Sequence, residues 1–217
     1  MKIVEPGFEI LSPLDGTGAL AAEQMLALVE RAGRTCYKSE ERIGPGTAER
    51  FVRMVIERGH ESVLEHASIT VLFVIDRGVS HELVRHRLCA FSQESTRYCN
   101  YGKTDVTFVR PSFWAPKDPT DASRWKEEYI VWKDAMAAAE RAYLGLLKLG
   151  AKPEEARTVL PNSLKTEIVV TANLREWRHI LKLRASPKAH PQMQQVMRGL
   201  GGALAVAMPC VFEGPAC

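Results

Sequence analysis

Nothing in this chain is long and apolar enough to cross a bilayer, because its apolar runs fall well short of the ~20 residues that such a helix needs. The first stretch, MKIVEPGFEILSPLDG, has no basic segment leading into an apolar one, so neither export nor membrane insertion is expected. Cysteine is sparse and shows no pairing pattern. Cys36, Cys89, Cys99, Cys210 and Cys217 are odd in number and include no C-x-x-C pair, which argues against zinc or dithiol redox chemistry and for a reduced, cytoplasmic protein. An excess of one charge is missing too. Lys and Arg total 29 against 26 Asp and Glu, a net +3, too little for a nucleic-acid coat or a membrane-surface patch. Any anion site must therefore come from local clustering. With no G-x-G-x-x-G and no P-loop, a dinucleotide would have to be held by side chains rather than by the glycine turn of a doubly wound sheet.

What is present suits one globular domain over residues 1–217, with 46% hydrophobic and 25% charged residues. Apolar periodicity predicts a helix over Gly18–Ala32 and a second one capped by Thr47 and ended by Gly59. ASITVLFVI (Ala67–Ile75) reads as a buried strand, leading into a helix over Arg77–Arg87. A short strand is expected in Asp105–Pro111, a helix over Ala122–Leu149, and a short helix opened by Pro153. Leu164–Leu174 reads as a strand, followed by helices over Arg175–Arg184 and Gln192–Ala207. The order of elements makes the class α+β.

Three constellations carry possible chemistry. In RHRLCAFSQESTRY, Arg85, His86, Arg87 and Arg97 alternate with Ser92, Gln93, Ser95 and Tyr98. Two arginines two positions apart near a helix end point different ways, so one can meet a phosphate while short polar side chains meet a base or sugar. For the bare R-H-R triplet a solvated basic helix end is the simpler explanation. In GHESVLEH, His60 and His66 share no helical face and form no H-E-x-x-H, so the segment is either a cap in which Glu61 or Ser62 ties down amides, or part of a ligand site. In the helix after Asn173, Leu174, Trp177 and Leu181 make an apolar stripe on which Arg184 also falls, and an arginine there needs a carboxylate or a bound phosphate. Arg175 and His179 share the more polar face, and Arg157 can pair with Glu154 or Glu155 on its own helix.

The spacing of Arg85-His86-Arg87, then seven residues to Ser95, with Arg97 and Tyr98 close behind, resembles the signature of the flavin-dependent thymidylate synthases. GHESVLEH is similar to that family's Gly-His-Glu-Ser/Thr-x-x-Glu-His segment. Arg157, Leu160-Pro161, Asn173, Arg175, Leu183-Arg184 and His190 resemble its second half, so the likeness runs from about Arg34 to Gln195. It implies a mixed sheet flanked by helices, with sites at the subunit interfaces of a homotetramer. It also implies conversion of dUMP to dTMP, with 5,10-methylenetetrahydrofolate as one-carbon donor and NADPH-reduced FAD as hydride donor. No metal and no nucleic-acid partner is implied.

By the same resemblance, dUMP meets Glu82, Arg85, Gln93, Ser95, Arg97, Arg157 and Arg184, of which Arg184 and Ser95 are the catalytic candidates. FAD meets His60, Ser62 and Glu65 from the first segment and Arg85, His86 and Arg87 from the second. Asn173, Arg175, His179 and His190 complete that set. Cysteine-dependent thymidylate synthases attack uracil with a thiolate, but no cysteine here sits in a motif that lowers its pKa. Ser95 has no triad partner in the sequence, so it is read as orienting substrate rather than attacking it. Two other readings stay open: a nucleotide- or RNA-binding module stacking bases on Phe91, Tyr98, Tyr101 or Trp114, and a flavoenzyme acting on another pyrimidine.

Overall fold

Two nine-residue strands that run straight into helices organise the chain. The structure, a computed structural model, describes residues 1–13, 18–114 and 127–213. Strand β3 (Ser68–Asp76) passes into α3 (Arg77–Leu83), and β6 (Lys165–Asn173) into α6 (Leu174–Arg184). At both junctions the last strand residue caps the helix. Asp76 Oδ1 accepts from the Val79 N–H at 2.7 Å, and Asn173 Oδ1 from the Glu176 N–H at 2.8 Å, each cap contributing about 1 kcal/mol. The sheet order is β2-β3-β6-β4, with β2 at Gly7–Ser12 and β4 at Ala90–Gln93. A separate parallel pair joins β1 (Lys2–Val4) to β5 (Thr107–Val109). The mixed helix-and-sheet class read from the sequence is the one found.

In β3 the buried side chains are Ile69, Val71, Phe73 and Ile75, and in β6 they are Thr166, Ile168, Val170 and Ala172. The expectation of a wholly buried strand is corrected. One face is buried and the other only half-buried, and on the latter Thr70 and Thr171 join their hydroxyls at 2.9 Å.

The described residues form two compact units. Of them, the first unit holds 1–7, 73–85, 92–114 and 127–168. Its core gathers Phe108, Leu164 and Tyr143 around Tyr129, Trp132 and Met136 of α4 (Glu127–Lys148). The part of the predicted helix from Ala122 to Lys126 lies outside the described residues. Two polar ends in this core are satisfied: Trp132 Nε1 donates to Ser163 Oγ at 3.0 Å, and Tyr143 Oη accepts from the Tyr101 N–H at 3.3 Å.

The second unit holds, of the described residues, 8–13, 18–72, 86–91 and 169–213. It is built from α1 (Gly18–Tyr37), α2 (Thr47–Glu57), α6, α7 (Pro191–Ala207) and α8 (Pro209–Phe212). Helix α1 runs five residues beyond the predicted end. Near its C-terminal end Gly33 meets the Phe51 ring so closely that an added Cβ would fall 2.4 Å from Cζ, which explains a glycine inside a helix. Thr47 is the first helical residue and not the cap, which is Gly46. Its hydroxyl oxygen lies instead 2.8 Å from both Glu30 Oε2 and the Gly44 carbonyl, which share its one proton. Gly59, expected to stop α2, has φ +72°, a conformation that costs other residues about 1–2 kcal/mol. Trp177, fully buried, anchors α6 by donating from Nε1 to the Ile69 carbonyl at 3.0 Å. No helix among the described residues is long and apolar enough to cross a membrane.

Candidate active site

Helix α3 is shorter than the sequence suggests, and this changes the setting of the R-H-R triplet. The Val84 N–H still reaches the Ser80 carbonyl at 3.1 Å, but the Arg85 N–H turns back to the Glu82 carbonyl at 3.3 Å, closing the helix at Leu83. Arg85, His86 and Arg87 therefore sit in irregular chain rather than on a helix end. Arg85 and Arg87 are exposed while His86 is buried.

In the first unit the nucleotide candidates are tied to the end of β4 and the turn that follows it. Gln93 donates from Nε2 to Ser80 Oγ at 2.9 Å and to Thr166 Oγ1 at 3.1 Å, both buried hydroxyls. Ser95 starts a turn: its carbonyl accepts from the Tyr98 and Cys99 N–H groups, and its hydroxyl oxygen accepts from the Arg97 N–H at 3.3 Å. Arg97 is exposed and lies over the Tyr98 ring, 5.5 Å from its centre. Arg157 opens a 3-10 turn just after the short helix α5 (Pro153–Ala156) and finds a partner away from it, its Nη1 donating to Thr96 Oγ1 at 2.9 Å. The turn Ser95–Tyr98 and Arg157 are thus brought together from positions some 60 residues apart in sequence. Thr96, buried, is a positioning group that the sequence pattern does not reveal.

The flavin candidates lie mostly in the second unit. His60 precedes, and Ser62 and Glu65 lie within, a 3-10 helix at Glu61–His66 that has no side-chain cap, so of the two readings of this segment the cap is not found. Its carboxylates turn instead to α6: Glu65 Oε1 is 2.6 Å from Arg175 Nη1, and Glu61 Oε1 is 3.4 Å from Arg178 Nη2. A cavity of about 480 Å³ is lined by Glu65, Asn173, Arg175 and His179 among others. A neighbouring one of about 680 Å³ shares Glu61 and Arg175 and adds His60 and Ser62. These volumes fall within the range of small-ligand pockets. His190 caps α7, its Nδ1 accepting from the Gln192 N–H at 3.3 Å, so that nitrogen serves the fold.

Arg184 closes the apolar stripe as expected. The group found at its Nε is neither of the two expected anions but an imidazole: Nε donates to His86 Nε2 at 3.1 Å. On the other side His86 Nδ1 stands 3.3 Å from Glu176 Oε1, and the His179 ring meets it edge-on at 5.7 Å. Burial above all, and then the charges of Arg184 and His179, lower the pKa of His86 to about 4. Burial likewise raises that of Glu176. Glu176, between Arg175 and the buried Trp177 on α6, does not stand out in the sequence. Its partner is 90 positions away and its own neighbours in sequence give no sign of burial. Donor atoms of His86, Glu176 and His179 lie within 4.8 Å of one another, a set of metal-ligand types. Arg184 covers the one lone-pair nitrogen of His86, which works against a cation there.

Cys89 and Cys210 behave as the sequence suggested. Burial, helped by Glu176, pushes Cys89 up to about 12, and burial first of all pushes Cys210 up to about 11, so neither forms a thiolate nucleophile near neutral pH.

The low pKa of His86 predicts a pH effect on stability. Unfolded, the imidazole takes a proton below about 6.5, and folded only below about 4, so the unfolded state binds more protons in between. Stability is therefore expected to fall as pH drops from 6.5 toward 4, by up to about 3 kcal/mol from this group. Urea unfolding across that window checks it. A His86→Gln variant with the same pH slope as the parent would show that the effect comes from elsewhere.

A family model described as "Thymidylate synthase complementing protein" matches residues 20–210. Flavin-dependent thymidylate synthases from Mycobacteroides abscessus and Corynebacterium glutamicum are 37% and 36% identical, over 94% and 92% of this chain and 85% and 83% of theirs. The chain belongs to the flavin-dependent thymidylate synthase family. That from Mycobacterium tuberculosis is 36% identical over 94% of this chain and 85% of its own. Among solved structures, a UMP/dUMP methylase PolB from Streptomyces cacaoi bound with 5-Br dUMP superposes with a TM-score of 0.76. That match covers 98% of this chain and 95% of that one. At 24% identity, it supports the fold.

Proposed function

We propose that this protein, acting as one functional domain over residues 1–217, converts dUMP to dTMP with 5,10-methylenetetrahydrofolate as one-carbon donor and NADPH as reductant of bound FAD. The observation that carries the reading is the pair of adjoining cavities in the second unit. Between them they collect His60, Ser62, Glu65, Asn173, Arg175 and His179 from two distant segments, all of them flavin candidates of a family whose name specifies a flavin. These walls fit a dinucleotide without a glycine loop: guanidinium and amide donors for phosphate and carbonyl oxygens, and no apolar slot alone. When bound, FAD supplies the hydride that the methylation of uracil requires.

The remaining groups act on dUMP. Arg85, Arg97, Arg157 and Arg184 hold the phosphate and polarise the uracil carbonyl, which concentrates electron density at the carbon that receives the methylene group. Glu82, Gln93 and Ser95 orient the nucleotide, with Ser95 fixed by its own turn and not serving as a nucleophile. Arg85, His86 and Arg87 also meet the flavin, as does His190. The protein works as a cytoplasmic homotetramer whose sites draw residues from more than one subunit. It uses no metal, and neither nucleic acid nor membrane is a partner.

The purified protein is expected to be yellow, or to become so on addition of FAD, and to form dTMP only when dUMP, methylenetetrahydrofolate and NADPH are all supplied. A colourless protein that FAD cannot reconstitute would falsify the reading and favour a nucleotide-binding module without turnover.

A further inference from the structure

One hydrogen bond fixes the proton on the neutral His86 ring. A guanidinium can only donate, so the nitrogen facing Arg184 Nε at 3.1 Å must present its lone pair. The imidazole proton then sits on Nδ1, the nitrogen that stands 3.3 Å from Glu176 Oε1, within ion-pair distance of that carboxyl group. The two outer groups come from opposite ends of α6 and the middle one from the chain after α3. Both His86 and Glu176 are more than nine-tenths buried, where a misdirected polar group is costly.

We propose that Glu176 and His86 form a positioning pair that aims the guanidinium of Arg184 at dUMP, so that His86 serves the nucleotide through Arg184. This rests on the reading of Arg184 as a nucleotide-binding residue. A neutral acceptor is well suited to this role, since an imidazole at Nε fixes the plane of the guanidinium without adding a negative charge beside the nucleotide phosphate or carbonyl. Glu176 fixes the tautomer, as carboxylates do for ligating and catalytic histidines. If the imidazole were protonated, a second donor would face Arg184 and release it. Glu176, His179 and Arg184 are the charged or titratable groups around the ring, with Cys89 near Glu176.

The test compares two amides. In His86→Gln the carbonyl oxygen reaches the place of Nε2, whereas in His86→Asn it reaches only that of Nδ1. Titration of the flavin-loaded protein with dUMP should show a Kd within about threefold of the parent for Gln and raised at least about tenfold for Asn, the latter a loss of about 1.4 kcal/mol. Arg184→Gln should weaken dUMP binding, and adding His86→Asn to it should weaken binding no further. Equal effects of Gln and Asn, additive losses in the double variant, loss of flavin with dUMP affinity kept, or stoichiometric metal that disappears with His86→Asn would each overturn the pairing. Unchanged dUMP affinity in Arg184→Gln would instead remove Arg184 from the nucleotide site. Independently of any variant, ¹⁵N-histidine spectra of the parent should show His86 with its proton on Nδ1 at neutral pH. The Nε2–H tautomer or an imidazolium would contradict the proposal.

Discussion

Replacing Arg85 by alanine is expected to lower dUMP-dependent NADPH oxidation at least about 30-fold, the ~2 kcal/mol lower bound for breaking a charged contact at a binding site. The melting temperature should stay where it is. The structure makes this variant unusually clean, because the Arg85 side chain is exposed and the residue is tied to the fold by its backbone N–H, which donates to the Glu82 carbonyl. Alanine keeps that bond. Any loss of turnover then reports on ligand contact and not on folding, and the split between KM for dUMP and flavin content tells which ligand Arg85 serves. Undiminished turnover at saturating and at low dUMP would take Arg85 out of the site.

Trp177→Ala should be the most destabilising single change, at about 3–5 kcal/mol for the cavity and about 1–3 kcal/mol more for the Ile69 carbonyl left without its indole donor. Trp177→Phe fills most of the space but still loses the N–H, so it should fall between parent and alanine. Urea midpoints at constant slope give both values. Because Glu176, His179 and Arg184 share α6 with Trp177, the alanine variant should also bind dUMP and FAD less well under conditions where it is still folded. A cost below about 1 kcal/mol would mean that α6 is held chiefly by other contacts.

Sequence pattern alone succeeds where one element's own periodicity decides its structure. β6 and α7 are found within a residue of their predicted ends, since long runs of β-branched residues and a wide apolar helical stripe leave few alternatives. Strands β1, β2 and β4 escape it: three to six residues are too few for a period to show, and what holds them is pairing to residues far away in the chain. The site divides along the same line. Arg85, Ser95, Asn173 and Arg184 stand out because motif spacing is written in the chain. Glu176, Thr96 and the Glu61 to Arg178 pair do not, because a partner 61 to 117 positions away leaves no local trace. The triplet Arg85-His86-Arg87 shows the cost of extrapolating a helix: one tightened turn at Leu83 separates an inward imidazole from two outward guanidiniums.

The cap that starts α6 also sets a rule for whatever binds beside it. Asn173 spends one lone pair of its carbonyl oxygen on the Glu176 N–H, while both hydrogens of its NH₂ stay available for a neighbour. Next to it stands the guanidinium of Arg175, a group that only donates and is itself held by Glu65 at 2.6 Å. A visitor docking against this helix start therefore meets a polarity that runs across the cavity: its oxygens or bare ring nitrogens suit the Asn173 and Arg175 side, and its N–H groups the carboxylates of Glu61 and Glu65.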